Sequence, residues 1–350
     1  MRNLLIAAFL LLAPACFAQT GNGCSTNTSA PTGSVQSYGL CNPLVINGRN
    51  LGGWIALNRT GDQSNTEEEC YDPANVFIEN GFLTLILKNL SKTCNYFPAQ
   101  QGSSPQTYPF SSAFVQWNNF SFTYGDLIVR AKVPGNITTG AWPAIWMLGA
   151  NCIFSSKVTA DNTTFNGKTC NWHSSGSEEI DIYESSSTIG ATSSTCNLFY
   201  NGGSTQSGYA VTSPSTQFHL YELRWSAGSL QWYLDGAIQS GCTISSGNVP
   251  STPMFLQMNI AVYTNAATTA NLASNMQVDY VKVCQPSPCS GNGGNIIFFD
   301  DFVTPIASSA LRPISRLARL SGQGTIAPSI APIPGIFAKN EFVLKQEEAK

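Results

Sequence analysis

The sequence predicts an all-β protein, a sandwich of two antiparallel sheets, and three observations indicate this fold class. Short apolar segments recur along the chain, turn residues separate them, and 30 glycines and 19 prolines occur in 350 residues. No helical periodicity of useful length occurs between residues 43 and 285. Many short strands with turns between them are typical of a β-sandwich, and the low charge, 11% of residues, suits a turn-rich β protein.

The first 18 residues have the pattern of a secretory signal peptide. A basic Met1-Arg2-Asn3 start precedes the apolar run 4–12, and Cys16-Phe17-Ala18 supplies a cleavage site with small residues. A lipoprotein site at Cys16 is the alternative, which Pro14 fits poorly. The apolar run is too short to span a bilayer, and no later segment reaches about 20 apolar residues. We therefore expect a secreted or periplasmic protein without a transmembrane segment.

The cysteine count agrees with export. Of 11 cysteines, Cys16 is lost with the signal peptide, which leaves an even number for disulfides in an oxidising compartment. Their connectivity cannot be derived, although Cys152–Cys170 and Cys284–Cys289 would close short loops. Only two histidines are present, so a zinc site of cysteine and histidine has little support. A net charge of −3 gives no positive field that would attract nucleic acid. We also expect a monomer.

Composition divides the rest of the chain into three parts. Residues 19–42 form a Gly/Ser/Thr-rich N-terminal arm, residues 43–285 carry the strands, and residues 286–350 are a linker and C-terminal tail of unknown role. The predicted strands are Asn75–Ile78 and Phe82–Leu87 around a turn at Asn80-Gly81, then Phe110–Phe122, Gly125–Val133, Trp142–Leu148, Glu179–Glu184, Cys196–Tyr200, Phe218–Trp225, Leu230–Gly236, Met254–Ala261 and Met276–Val283.

One strand concentrates carboxylates in a chain that has few charges. Within Ser177–Glu184, four acidic residues fall in seven positions. In a regular strand Glu179 and Asp181 share one face and Glu184 points to the other, but a single β-bulge returns Glu184 to the first face. Two carboxyl groups about 5–5.5 Å apart are what a retaining glycosidase needs. A solvated acidic strand face and a calcium site are the alternatives that the residues leave open.

The motifs around this strand resemble a known family. Glu179-Ile-Asp-Ile-Tyr-Glu184, preceded by Tyr124-Gly125 and by Trp142-Pro-Ala-Ile-Trp146-Met-Leu, is similar to the laminarinase-like members of glycoside hydrolase family 16. Tyr233-Leu-Asp-Gly236 and Val278–Val283 match as well, and the resemblance spans about residues 70 to 285. It implies a concanavalin-like β-jelly roll with a cleft across its concave sheet. It also implies retaining hydrolysis of β-linked polysaccharides.

The resemblance assigns roles to the three carboxylates. It implies that Glu179 is the nucleophile, that Glu184 is the general acid/base, and that Asp181 is the carboxylate between them. No cofactor is implied for catalysis. Burial beside the charge of Glu179 would raise the pKa of Glu184, which must hold a proton near neutral pH. Asp181 could share a proton with Glu179.

Aromatic residues are the candidates for sugar contacts. Trp142 and Trp146 resemble aromatic residues that line the family's sugar subsites, and burial in the core is the alternative for both. Trp172 and His173, just ahead of the carboxylate strand, are further candidates.

The sequence departs from the family's pattern in two places. Laminarinase-like members usually carry a histidine on the strand after the catalytic one, whereas Phe199 stands in the corresponding place here. Asp279 resembles a residue that helps to bind a structural calcium, but the N-terminal strand that supplies its partners is not found before Cys70. Ile296–Phe302 resembles that strand; we interpret it as an appended segment after the linker, with a permuted strand as the alternative.

These observations predict an exported endo-glycosidase that acts on β-1,3- or mixed-linkage glucan through a covalent glycosyl-enzyme. A transglycosylase with the same chemistry is one alternative. A non-catalytic carbohydrate-binding protein is another, although it has no need of two carboxylates on one bulged strand. A structural or adhesive surface protein is the last, and only the C-terminal tail favours it.

Overall fold

A computed structural model describes residues 44–46, 49–51, 54–62, 65–94, 105–117, 120–135, 140–152, 163–165, 168–263, 272–289 and 294–302. The predicted signal peptide, the arm 19–42 and residues 303–350 lie outside this description. The strands are β1 (Leu44–Ile46), β2 (Arg49–Leu51), β3 (Trp54–Ala56), β4 (Arg59–Thr60), β5 (Glu69–Tyr71), β6 (Val76–Glu79), β7 (Phe82–Leu87), β8 (Lys92–Cys94), β9 (Gln106–Tyr108), β10 (Phe110–Ser112), β11 (Phe114–Trp117), β12 (Gly125–Lys132), β13 (Ala141–Gly149), β14 (Thr163–Phe165), β15 (Lys168–Cys170), β16 (Glu179–Glu184), β17 (Ser193–Tyr200), β18 (Gly203–Ala210), β19 (His219–Ser226), β20 (Ser229–Leu234), β21 (Ala237–Ser245), β22 (Met254–Val262), β23 (Ser274–Gln285) and β24 (Asn295–Asp300). Single 3₁₀ turns occur at Pro73–Asn75 and Ala150–Cys152.

The strands form two large sheets that pack face to face. One sheet has seven strands in the order β18-β17-β16-β13-β22-β11-β3, and the other has eight, in the order β21-β20-β19-β12-β23-β7-β6 with β24 paired to β23. Every pairing within these two sheets is antiparallel. The predicted all-β sandwich is therefore confirmed.

Local turn chemistry sets the register of the hairpins. Asn80 and Gly81 connect β6 to β7, both with positive φ (54° and 79°), as a two-residue type I′ turn requires. Asp235 and Gly236 repeat this arrangement between β20 and β21, with φ of 51° and 78°. Asparagine, aspartate and glycine tolerate this region of backbone space. The turn at Asn80-Gly81 was predicted, whereas Asp235 and Gly236 had been included in the predicted strand Leu230–Gly236, which ends at Leu234.

The core lies between the two sheets and is joined across them by specific contacts. Tyr183 on β16 packs against Tyr221 on β19, with ring centroids 4.9 Å apart. The indole Nε1 of Trp232 on β20 donates a hydrogen bond of 2.8 Å to the backbone carbonyl of Asp181. These contacts fix the core-facing side of the carboxylate strand, so that its opposite face is held in a defined position.

Four disulfides occur in the described part of the chain. They join Cys70 to Cys94, Cys152 to Cys170, Cys196 to Cys242 and Cys284 to Cys289. The two short loops considered in the sequence analysis are both closed, and Cys196–Cys242 links one large sheet to the other. Cys24 and Cys41 lie outside the described residues. No helix in the described ranges is long and apolar enough to cross a membrane.

The C-terminal boundary of the sandwich differs from the predicted one. The sequence analysis ended it at residue 285, but β24 pairs antiparallel with β23 beyond the predicted linker. Trp54 Nε1 donates a hydrogen bond of 3.1 Å to Asp300 Oδ2, and Phe298 and Phe302 are buried against the Trp54 ring. The segment is thus part of the sandwich, because it covers apolar surface that β3 and its neighbours would otherwise expose.

A small third sheet positions one side of the site. It has the order β10-β5-β4, with β10 and β5 parallel. It is held to the seven-stranded sheet by Glu69, whose Oε2 accepts a hydrogen bond of 2.6 Å from the backbone nitrogen of Val262 on β22. Arg59 on β4 lies over the rings of Tyr71 and Phe114, at 5.7 and 5.3 Å from their centroids.

Candidate active site

The carboxylate strand β16 contains the predicted β-bulge. Asp181 lies opposite Asn197 and Glu184 lies opposite Thr195, so three steps along β16 match two steps along β17. The ladder to β13 shows the same extra residue, because Asp181 faces Trp146 and Glu184 faces Ala144. Ile180, Ile182 and Tyr183 point into the core. The bulge therefore brings Glu179, Asp181 and Glu184 to one cleft.

Each of the three carboxyl groups accepts at least one hydrogen bond, and Asp181 and Glu184 share the donor Asn197. Trp172 Nε1 donates to Glu179 Oε2 at 2.7 Å. Asn197 Nδ2 donates to Asp181 Oδ2 at 2.8 Å and to Glu184 Oε2 at 3.1 Å. Glu184 also receives Trp142 Nε1 on Oε1 and Thr195 Oγ1 on Oε2, both at 2.8 Å.

Burial and mutual repulsion make these groups hold protons more tightly. Burial, and next the charge of Glu184, raise the pKa of Glu179 to about 8, while hydrogen bonds from Trp172 and Asp181 oppose the rise. The pKa of Asp181 lies well above its ordinary value because of burial and then the charges of Glu184 and Glu179. Burial raises the pKa of Glu184 against its three donors. Asp181 is thus suited to keep a proton and donate it to an ionised Glu179.

A side wall faces these carboxyl groups across the cleft. It comes from the segment between β3 and β5 and consists of Arg59, Asp62, Asn65 and Glu67, which line the same cleft as the carboxylate strand. The backbone nitrogen of Asp62 donates to Glu67 Oε2 at 2.8 Å, and Asn65 Nδ2 donates to Glu67 Oε1 at 3.2 Å. Burial raises the pKa of Glu67. The cleft therefore has carboxyl groups on both sides.

A family model described as "Glycosyl hydrolases family 16" matches residues 65–282. The chain belongs to this family. Among curated relatives, the chain is 28% identical to glucan endo-1,3-beta-glucosidase A1 of Niallia circulans over 60% of this chain and 30% of that protein. It is 33% identical to a keratan-sulfate endo-1,4-beta-galactosidase of Sphingobacterium multivorum, over 50% of this chain and 39% of the other. The chain thus spans well under half the length of these two relatives.

A solved structure supports the same family fold. The crystal structure of LamA from Z. galactanivorans in complex with laminaritriose and laminaritetraose is 26% identical, covers 66% of this chain and 91% of that chain, and has a TM-score of 0.53. The jelly-roll architecture of this family 16 chain follows from this likeness together with the two antiparallel sheets described above.

The two predicted sugar-stacking tryptophans occupy different environments in this family 16 cleft. Trp142 is half-buried, and its indole N–H is bonded to Glu184 while its ring meets Tyr263 edge-on at 5.8 Å. Trp146 is 6% exposed, and its Nε1 donates to Asn259 Oδ1 at 2.9 Å. Both rings line the cleft, but Trp142 offers more surface to a ligand.

Trp172 and His173 lie at the Glu179 end of the cleft. The Trp172 ring lies 4.7 Å from that of His173 and 5.4 Å from that of Phe199, measured between centroids. Phe199 is paired with Glu179 across the ladder from β16 to β17. The three rings form an aromatic cluster next to the predicted nucleophile, and Trp172 also bonds it directly.

Asp279 lies on the eight-stranded sheet, away from the cleft. Its Oδ2 forms an ion pair of 2.5 Å with Arg130 Nη1. The described ranges contain no group of three or more His, Cys, Asp and Glu side chains that could hold a metal ion. The residues described around Asp279 therefore do not fit a calcium site by themselves, and calcium binding stays a prediction.

Sequence reasoning missed the polar residues that support the carboxylates. Asn197 lay within the predicted strand Cys196–Tyr200 without an assigned role, and Thr195 lay just before it. Their alternate spacing on β17 places both side chains on the face of the carboxyl groups. The side wall was not foreseen either. Its residue Glu67 belongs to a run, Glu67-Glu68-Glu69, that a single sequence does not distinguish from a solvated turn.

The raised pKa of Glu179 predicts that ionisation of this carboxyl group lowers the stability of the folded protein. A carboxyl group with a pKa of about 8 when folded and near 4.5 when unfolded is stabilising to the folded state only in its protonated form. Stability should fall as the pH rises through this window. We expect Glu179→Gln to be more stable than the wild type by roughly 1–3 kcal/mol at pH 8, with the difference shrinking toward pH 4.5. Thermal melts of both proteins across that range check this, and a gain that did not depend on pH would contradict it.

Proposed function

We propose that this chain is an exported retaining endo-glycosidase that hydrolyses β-1,3- or mixed-linkage β-glucan. The observation that carries the proposal is the bulge in β16, which gathers Glu179, Asp181 and Glu184 at one cleft. Two carboxyl groups that flank the scissile bond, one as nucleophile and one as general acid/base, are the machinery of retaining glycoside hydrolysis.

The proposed reaction proceeds in two displacements. Glu184 gives its proton to the glycosidic oxygen as that bond breaks, and a carboxylate oxygen of Glu179 forms a bond to the anomeric carbon. Glu184, now ionised, takes a proton from water, and the resulting hydroxide displaces Glu179 from the sugar. Trp172 and Asp181 stabilise the charge on Glu179 before attack and after release.

Charge at the cleft favours a neutral substrate. The lining carries five carboxyl groups, Asp62, Glu67, Glu179, Asp181 and Glu184, and Arg59 is the basic side chain among its described residues. The guanidinium of Arg59 lies over aromatic rings and is 2% exposed. A sulfated chain would meet no exposed basic side chain among the described residues of this lining. We therefore favour a glucan, the substrate named for the Niallia circulans relative, over a keratan-sulfate-type galactan.

Export is supported by the signal-like residues 1–18 and by the four disulfides of the described chain. Disulfides form and persist in oxidising compartments.

The stereochemistry of the first product tests the mechanism. Two inversions at the anomeric carbon should release the β-anomer from a soluble β-glucan. Proton NMR during the first minutes, before mutarotation, distinguishes the anomers. A panel of laminarin, lichenan, agarose and keratan sulfate with product sizing tests the substrate class. An α-anomer formed first would overturn the retaining mechanism, and cleavage of keratan sulfate alone would overturn the choice of glucan.

Trp142 is expected to contribute to substrate binding through its ring. Trp142→Ala should weaken glucan binding by about 1–2 kcal/mol, the scale of an aromatic contact, and Trp142→Phe should keep most of it. Binding can be measured by calorimetry in the Glu179→Gln background, where turnover is blocked. A loss of about 3–5 kcal/mol in unfolding free energy for Trp142→Ala, as for a core aromatic residue, would instead assign Trp142 to the core.

A further inference from the structure

We propose that Asn197 is a positioning residue whose amide group holds Asp181 and Glu184 together and controls how readily Glu184 releases and regains its proton. The inference rests on the proposed hydrolysis and concerns the same cleft. It starts from one side chain that faces three acceptors.

The amide nitrogen of Asn197 lies within hydrogen-bond distance of three acceptors. Its Nδ2 lies 2.8 Å from Asp181 Oδ2, 3.1 Å from Glu184 Oε2 and 3.1 Å from Thr195 Oγ1. An amide nitrogen carries two hydrogens, so at least one of them is shared. Thr195 uses its own hydrogen on Glu184 Oε2. Asn197 therefore bonds Glu184 both directly and through Thr195.

The orientation of this amide is determined by its neighbours. The reverse orientation would set the carbonyl oxygen against two carboxyl groups, which accept hydrogen bonds when ionised. Asn197 is 4% exposed, and its Oδ1 has no hydrogen-bond partner in the described part of the chain. Water therefore has little access with which to replace the Nδ2 donor if it is removed.

The backbone holds the amide in place. Asn197 follows Cys196, which is disulfide-bonded to Cys242 of the opposite sheet, and precedes Leu198, which is fully buried. Its partner across the ladder is Asp181, at the start of the bulge. Because its neighbours in the chain hold Asn197 in place, its side chain can hold the carboxyl groups of Asp181 and Glu184 in fixed positions.

The chemical consequence concerns the ionised form of Glu184. When Glu184 has given up its proton, the N–H groups of Asn197 stabilise the new charge, and this lowers the pKa of Glu184. The other donors to Glu184 are Trp142 and Thr195. The charged or titratable groups that line the cleft around it are Glu179 and Asp181 on β16 and Arg59, Asp62 and Glu67 on the side wall. Without Asn197, Glu184 should be a weaker acid in a less fixed position.

The first test is Asn197→Leu, which keeps the approximate shape and removes the donor. We expect kcat on β-glucan to fall roughly 10- to 100-fold with KM changed by less than about threefold. The alkaline limb of the kcat/KM profile should move to higher pH by about half a unit or more. The matched control is Gln206→Leu, because exposed Gln206 faces Asn197 across the β17–β18 ladder and donates a hydrogen bond of 3.1 Å to Ser204 Oγ rather than to a carboxyl group of the cleft. It should change neither quantity.

A double variant separates this role from a merely structural one. If Asn197 acts through Glu184, Glu184→Gln/Asn197→Leu should be about as slow as Glu184→Gln alone, since the two losses share one pathway. A structural defect would multiply with the loss at Glu184. Multiplied losses, an unmoved alkaline limb, or unchanged kcat for Asn197→Leu would each overturn the proposal.

A titration without turnover distinguishes this inference from the proposed function. In protein labelled with ¹³C at glutamate carboxyl groups, the resonance that disappears in Glu184→Gln belongs to Glu184. It should titrate at higher pH in Asn197→Leu, and also in Asn197→Asp, which serves if the leucine variant does not fold. A wild type that cleaves no glucan would defeat the proposed function, whereas an unshifted Glu184 titration would defeat the role of Asn197.

Discussion

Glu179→Ala is expected to reduce glucan hydrolysis by roughly 10⁴-fold or more, the largest effect on activity of any single change in the cleft. The reason is that no other carboxyl group can take over the attack. Asp181 is bonded to Asn197 and holds its proton tightly, and Glu184 is needed as the acid. Circular dichroism should show an intact fold, because Glu179 faces the cleft rather than the core. Initial rates on soluble β-glucan, with the wild type measured alongside, provide the check.

Azide makes the assignment of roles directly visible. With an activated β-glycoside, Glu179→Ala should accept azide in one displacement and give the α-glycosyl azide, since the leaving group needs no proton. The matched control is Glu184→Ala, in which Glu179 still forms the covalent intermediate and azide then opens it to give the β-glycosyl azide. The two products differ in their anomeric coupling constants. Exchanged configurations would mean that Glu179 and Glu184 have exchanged roles.

The bulged strand could be predicted from sequence because its cause is local. Glu179, Asp181 and Glu184 alternate with apolar residues, and the spacing fits a single face only if one residue is extra. Burying Glu184 in the core beside Ile182 would be unfavourable, so the bulge is the arrangement consistent with both the acidic and the apolar residues. The hairpin turn at Asn80-Gly81 could be predicted for the same local reason.

The side wall could not be predicted because the small sheet next to it is anchored by residues that are distant in sequence. Glu69 is held by the backbone of Val262, 193 positions away, and is fully buried. Burial and next the charge of Glu67 raise its pKa well above the ordinary value. A run of three glutamates suggests a solvated turn unless the pairing of β5 with β10 is already known. Which carboxyl groups face the cleft therefore depends on tertiary structure.

The C-terminal end of the sandwich was placed too early because the composition of the linker was given more weight than the strand pattern that follows it. Residues 286–294 are rich in Pro, Gly and Ser, which usually indicates a linker. Ile296–Phe302 was interpreted as an appended segment, but its apolar residues fill a gap next to Trp54, which precedes Asp300 by 246 positions. The Cys284–Cys289 disulfide turns the chain back at the end of β23, so that β24 can pair with it.

The largest effect on stability is expected from removing β24. A chain that ends at Cys289 loses Phe298 and Phe302 from the core, and it leaves the indole N–H of Trp54 without Asp300. Phe298 lies 4.9 Å from the Trp117 ring and 4.8 Å from the Phe120 ring, so its loss opens a cavity among aromatic residues. Each lost core phenylalanine is worth about 3–5 kcal/mol, and a typical domain has only about 5–15 kcal/mol in total. We therefore expect the shortened chain to melt more than roughly 10 °C lower or not to fold.

The matched control is a chain that ends after Phe302 and so retains every described contact of β24. Two point variants give the size of the separate contributions: Phe298→Ala should lower the unfolding free energy by about 3–5 kcal/mol, and Asp300→Asn by less, because an amide oxygen can still accept from Trp54. Thermal and urea unfolding of the four proteins decides the matter. If the chain ending at Cys289 melted within a few degrees of the chain ending at Phe302, β24 would be an addition to a sandwich that is already complete. A large difference would mean that the residues on either side of the predicted linker form one folding unit. Trp54 and Asp300, which are 246 positions apart, would then complete the same core.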